Sequence, residues 1–94
     1  MRNGRRFTSP YFNLLVTANR QSQTRLGITV SRKIGNAVIR SRVKRVIREF
    51  FRLRRPYLQP DIECVIIAKP LAGQTINAVL TKALYGLFTR FNAS

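Results

Sequence analysis

The stretch LGITVSRKIGNAVIRSRVKRVIREFFR, residues 26–52, decides the fold. It opens with an alternation. Leu26, Ile28 and Val30 are apolar, and Gly27, Thr29 and Ser31 lie between them, the period of a strand with one apolar face. Arg32 to Asn36 is a basic loop containing a glycine, and the Asn36 side chain suits a helix cap. From Ala37 the period changes. Ile39, Val43, Val46, Ile47, Phe50 and Leu53 fall in one stripe at ~100° per residue. A helix is therefore expected from Ala37 to about Arg54, stopped by Pro56. Lys44, Arg45, Arg48, Arg52 and Arg55 fall on its opposite side, with Arg42 at one margin and Arg40 at the other.

Upstream, Arg5 to Thr8 reads as a loop or a short edge strand, punctuated by Pro10. Tyr11 to Ala18 reads as a strand. Phe12, Leu14 and Val16 share one side; Tyr11, Asn13, Leu15 and Thr17 share the other. The polar connection from Asn19 to Thr24 is short, so this strand and the Leu26 strand are expected to pair antiparallel. Downstream, Pro56 to Pro60 is a linker, and Ile62 to Ala68 is an almost unbroken apolar run that suits a central buried strand. Lys69 to Gln74 is a loop. Thr75 is placed to cap a last helix whose apolar positions are Ile76, Val79, Leu80, Ala83, Leu84, Leu87, Phe88 and Phe91. The sum is a single α+β domain over residues 1–94, an α-β sandwich with a small, mostly antiparallel sheet, in which Leu26 to Ala68 forms a β–α–β unit.

Composition narrows the function. The net charge is +15, and 45% of the residues are hydrophobic, enough for a modest core. A compact domain with that charge repels itself unless a polyanion is near, so nucleic acid is the leading partner class. An acidic membrane surface comes second and an acidic protein third. Most of the cations are arginine, whose planar fork suits phosphates and base edges. There is no His, and Cys64 is the only cysteine. A zinc site would need that one thiol and three carboxylates and is not expected, and histidine acid–base chemistry is excluded. The acids are Glu49, Asp61 and Glu63; the last two read as solvent-facing strand residues and not as a catalytic pair. No apolar run approaches the ~20 residues of a membrane helix, and no signal-peptide stretch follows the basic N-terminus. A cytoplasmic location is expected, with no membrane and no obligate protein partner.

The basic helix face has no structural return of its own. Arg45/Arg48, Lys44/Arg48, Arg48/Arg52 and Arg52/Arg55 are like-charge pairs three or four apart, relieved only by Glu49. A phosphate backbone turns that repulsion into attraction by counterion release. Arg32, Lys33 and Asn36 converge on the helix N-terminus, either as an anion site or as a plain cap. Phe7, Tyr11 and Phe12 are either a stacking platform for unpaired bases or core.

Residues 26–52 resemble the protein component of bacterial ribonuclease P, a family that pairs a strand reading LGxxVSKKxGNAV with a helix reading RNRxKRxxRE. The resemblance implies that the chain binds a large catalytic RNA, which carries the chemistry. The holoenzyme, an endoribonuclease using Mg²⁺, removes the 5′ leader of precursor tRNA to give the mature tRNA 5′ end. By position, the contacts to the catalytic RNA fall on Arg40, Arg42, Lys44, Arg45 and Arg48. Arg32, Lys33, Asn36, Ser41 and Arg52 complete the expected RNA surface. The leader cleft would use the sheet face and helix edge, with Phe12, Ser31 and Lys33 as candidates. The family fold is an α–β sandwich whose crossover is left-handed, where general rules favour right-handed. Two departures stand out: Ser41 occupies the place of the family's Asn, and the family's first amphipathic helix, which precedes Gly4, is expected to be absent.

The competing reading is a structural or ribosomal RNA-binding protein with no part in catalysis. A DNA-binding module suits the basic helix but not its place as a β–α–β crossover. A stand-alone nuclease lacks the acids and histidines it needs. A membrane-surface helix would expose the apolar stripe that the sheet requires.

Overall fold

The apolar run late in the chain becomes the centre of the sheet. The computed structural model describes residues 4–18, 23–58 and 61–93. Strands β1 (Arg5–Thr8), β2 (Phe12–Ala18), β3 (Arg25–Thr29) and β4 (Ile62–Ala68) form one sheet in the order β1-β2-β4-β3. β4 pairs antiparallel with β2, from Phe12 opposite Ala68 to Ala18 opposite Ile62. It pairs parallel with β3, with Leu26 opposite Cys64 and Ile28 opposite Ile66. β1 lies antiparallel on the outer edge of β2.

The expected direct pairing of β2 with β3 is therefore corrected: β4 lies between them. β4 carries apolar side chains on both faces, Cys64 and Ile66 on one, Val65 and Ile67 on the other, and gains most from two neighbours. β3 has Gly27 at its middle and exposed Arg25 and Thr29 at its ends, which suits an edge. Most of the connection between β2 and β3, residues 19–22, lies outside the described residues.

Helix α1 spans Ala37–Arg54, and Asn36 Oδ1 accepts from the Ile39 N–H at 3.0 Å to cap it. A 3₁₀ turn over Arg55–Tyr57, with Pro56 inside, ends it. As the crossover between parallel neighbours β3 and β4, α1 completes the β–α–β unit. Helix α2 spans Asn77–Ala93. Thr75 does not cap it. Its hydroxyl donates back to the Leu71 carbonyl at 2.7 Å, and the Ile76 carbonyl accepts the first bonds, from Val79 and Leu80. The 3₁₀ turn over Pro70–Gln74 puts that earlier carbonyl within the hydroxyl's reach.

Both helices cover the same sheet face, burying Phe12, Leu14, Val16, Cys64 and Ile66 against Val43, Ile47, Leu80, Leu84 and Leu87. Two details of the expected stripes change. Leu53 is 56% exposed, and Phe51 is buried instead. Three residues past Phe50 the helix has turned by about 60°, enough to carry Leu53 off the sheet. On α2, Ile76 and Val79 are exposed and the buried stripe begins at Leu80. The other sheet face carries Asn13, Leu15, Val65 and Ile67, all half-buried.

The turn over Arg32–Ile34 and the turn over Pro70–Gln74 meet at Gly73. A Cβ there would lie 2.1 Å from the Ile34 carbonyl oxygen, so only glycine permits the approach. No helix among the described residues is long and apolar enough to cross a membrane.

Candidate nucleic-acid interface

Because α1 buries Val43, Val46, Ile47 and Phe50, its opposite face is forced outward. Arg45, Arg48 and Arg52 are exposed there, Ser41 is exposed, and Lys44 is half-buried. With Glu49 these residues line a shallow groove of about 390 Å³. Arg52 donates to Glu49, and that hydrogen bond, with the guanidinium's charge behind it, holds the Glu49 carboxyl below its ordinary range. That pair consumes the only acid on the face. Arg45 and Arg48 make no ion pair among the described residues and point like charges into solvent.

At the C-terminal end of α1 the basic surface turns toward the sheet edge. Arg48, Arg52 and Arg55 meet Arg25 of β3 around a second groove of about 500 Å³. Arg55 also donates to the Thr24 carbonyl at 3.2 Å, fixing this corner. Arg25 was not singled out from sequence. Only the parallel placement of β3 beside β4 brings it to α1, and no local pattern signals that.

Arg42 and Arg40 differ from Arg45 and Arg48. Arg42 spans to the other helix: one terminal nitrogen donates to the Thr75 carbonyl at 3.0 Å and to Asn77 Oδ1 at 2.7 Å, the other to the Gly73 carbonyl at 3.1 Å. Its fork is used within the protein. Arg40 is half-buried, and its Nε is buried without a hydrogen-bond partner among the described residues.

At the N-terminal end, Arg32 and Lys33 are exposed in the turn before α1. Ser31 Oγ accepts from the Lys33 N–H at 3.3 Å. Asn36 acts as a helix cap, so its side-chain oxygen is already engaged. Ser31, Lys33 and Lys69 lie at one end of the parallel pair β3–β4, just past Thr29 opposite Ile67. Lys69 Nζ donates to Thr8 Oγ1 at 2.9 Å and to the Ser9 carbonyl at 2.6 Å, tying β1 to the end of β4.

Phe12 requires a correction. It is 0% exposed, on the helix-covered face of β2, and cannot offer its ring to a base without opening the core. Its register fixes this: Phe12, Leu14 and Val16 alternate onto one side, and both helices pack there. Phe7 also faces that side, edge-on to Phe91 with ring centroids 6.0 Å apart. Tyr11 is half-buried against the core.

The acids do not cluster among the described residues. Asp61 is exposed in a left-handed backbone conformation, Glu63 is half-buried, and no group of three potential ligands comes together among the described residues. Cys64 is fully buried, and burial pushes its thiol up to about 11, as befits a small hydrophobe.

The comparisons with known proteins agree with this geometry. The family described as ribonuclease P matches residues 1–92. A ribonuclease P protein component of Dictyoglomus thermophilum is 43% identical over 70 residues, covering 74% of this chain but only 58% of its relative. The ribonuclease P protein component of Syntrophus aciditrophicus is 47% identical over 87 residues, covering 93% of this chain and 73% of the relative. The structure of the Staphylococcus aureus RNase P protein superposes with a TM-score of 0.86 at 29% identity, over 92% of this chain and 79% of that one. A family match over almost the whole chain, a relative 47% identical over 87 residues and the superposition of the fold agree, and the chain belongs to the ribonuclease P protein family.

Proposed function

We propose that this chain is the accessory protein of a ribonuclease P ribonucleoprotein, working in the cytoplasm where precursor tRNA is made. It binds the catalytic RNA through α1 and assists removal of the 5′ leader from precursor tRNA. The observation that carries this reading is the outer face of α1, with Arg45, Arg48 and Arg52 exposed beside half-buried Lys44, opposed by Glu49 alone. Such a face is costly by itself and favourable only against phosphates. Family membership supports the choice of RNA.

The chemistry belongs to the RNA in this reading. Mg²⁺ would supply activated water and charge stabilisation there, and this chain's residues bind and position the RNA. For the leader, the open sheet face of Asn13, Leu15, Val65 and Ile67 replaces Phe12 as the surface for an extended strand. Ser31 and Lys33 stand at the end of that sheet and would meet its phosphates.

A reconstituted cleavage assay tests the proposal. The protein is combined with a bacterial ribonuclease P RNA and a precursor tRNA carrying a 5′ leader, at low Mg²⁺. The expected result is faster cleavage than by RNA alone and none by protein alone. Tight binding to that RNA without stimulation would leave a structural RNA-binding protein.

A further inference from the structure

The two helices do more than cover the sheet. On the side away from it they leave a groove of about 790 Å³ between α1 and α2, within the roughly 300–1,000 Å³ span of ligand-sized pockets. Leu53, Tyr57 and Tyr85 line it, and they are 56%, 76% and 50% exposed. None of the three is needed by the core, and a solvated surface gains nothing from two tyrosines and a leucine side by side.

The rim is cationic. Arg45 and Lys82 line the groove, and Arg54 stacks over the Tyr85 ring, 4.5 Å from its centroid. Glu49 is the sole acid in the lining, and it is already paired with Arg52. Arg45 and Glu49 also line the basic groove on the outer face of α1, so the two grooves adjoin at these residues. Aromatic rings flanked by guanidinium groups, beside the cationic face of α1, match the chemistry of an unpaired polynucleotide: rings for the bases, cations for the phosphates. A net charge of +15 disfavours a second copy of this chain as the occupant.

We infer that the α1–α2 groove binds an unpaired single strand of RNA, stacking its bases on Tyr57 and on the Tyr85–Arg54 pair while Arg45 and Lys82 meet its phosphates. This rests on the reading that α1 binds RNA, and it adds a base-stacking site distinct from both the basic face and the open sheet face.

Tyrosine fluorescence gives a direct readout. The chain has no Trp and three Tyr, and two of those three line the groove. The probes are an unstructured oligoadenylate and an abasic oligomer with the same number of phosphates, titrated into the full chain. Oligoadenylate should quench the emission and bind more tightly than the abasic oligomer. Tyr57→Ala and Tyr85→Ala should each weaken oligoadenylate binding by roughly tenfold, leave the abasic oligomer unchanged, and be rescued by Tyr57→Phe and Tyr85→Phe. Tyr57 is exposed enough that its variants fold, which thermal unfolding checks.

Equal affinity for the two oligomers, or alanine variants that bind oligoadenylate like the unaltered chain, would overturn the inference while leaving stimulation of the catalytic RNA intact. Loss of self-association in sedimentation, with oligoadenylate binding unchanged, would instead assign the groove to a second copy. Failure of the unaltered chain to bind either oligomer or the catalytic RNA would overturn both readings.

Discussion

Arg42 donates to the Gly73 carbonyl at 3.1 Å, so an arginine from the basic helix is fastened to the turn that precedes α2. The same side chain reaches Thr75 and Asn77, and it joins the two helices where Gly73 lies against Ile34. Arg42→Ala leaves those acceptors unpaired. Stability should fall by about 2 kcal/mol, seen as a loss of roughly 10 °C in Tm. Arg42→Lys should not restore it, because a single ammonium nitrogen replaces the two guanidinium nitrogens that now reach these acceptors. Arg45→Ala, on the free face, should leave Tm nearly unchanged.

Neutralising Arg45 and Arg48 together addresses the opposite role. Both are exposed and remote from the core. Affinity for the catalytic RNA should drop, and the log–log slope against salt should flatten by about two, with no loss of Tm. An unchanged slope in filter binding would remove this face from the interface.

Gly73→Ala forces a methyl group into the Ile34 carbonyl. The two turns must then separate, with a cost of about 1–3 kcal/mol, and the Arg42 bonds are disturbed with them. Chemical denaturation of Gly73→Ala, Arg42→Ala and the double variant should show less than additive losses. Full additivity would mean that the contact and the bonds act independently.

Phe12 separates core from recognition. Phe12→Ala should cost about 3–5 kcal/mol, the range for emptying a buried aromatic site. Phe12→Leu, which refills much of the space without a ring, should keep RNA affinity and cleavage stimulation near those of the unaltered chain. Loss of leader affinity in a stably folded Phe12→Leu chain would return Phe12 to the cleft.

The buried Cys64 thiol predicts an alkaline limit. Its value in the fold is raised to about 11, above the ordinary value of about 8.5 in an unfolded chain. The neutral thiol is therefore favoured by the fold, and its contribution is complete below about pH 8.5. It declines between there and about 11, as the unfolded chain releases its proton first. Cys64→Ala should flatten that part of the stability profile. At neutral pH, labelling of Cys64 by a disulfide reagent should follow the rate of opening and not the reagent's own chemistry.

Much of this was legible in the sequence. The bounds of α1, its cap at Asn36 and the exposure of Arg45 and Arg48 follow from local spacing, because a helix with one apolar stripe has one place to put its charges. The alternation of Phe12, Leu14 and Val16 likewise set the face of β2. What failed was non-local. No short-range pattern says that β4 enters between β2 and β3, and the pairing of consecutive strands is only a tendency. The division of the arginines failed for the same reason. Arg42 and Arg45 share a helix and a charge, yet Arg42 is committed to acceptors more than thirty residues away, which only the packed helices bring near. Leu53 reads from sequence as part of the buried stripe of α1, and no local pattern singles out Tyr85; the two take their places as walls of one groove only in the packed structure.

The order β1-β2-β4-β3 also has a kinetic consequence. The strand that pairs with both β2 and β3 is the last of the four to emerge during synthesis, so β3 has no strand partner until residues 62–68 are available. Pairing of such sequence separation is entropically slow, and α1, whose apolar stripe needs that completed sheet, stays undocked in the meantime. A nascent chain ending before residue 62 would therefore present a basic helix without the scaffold that aims it, and any partner that binds only the docked form would pull the late closure forward.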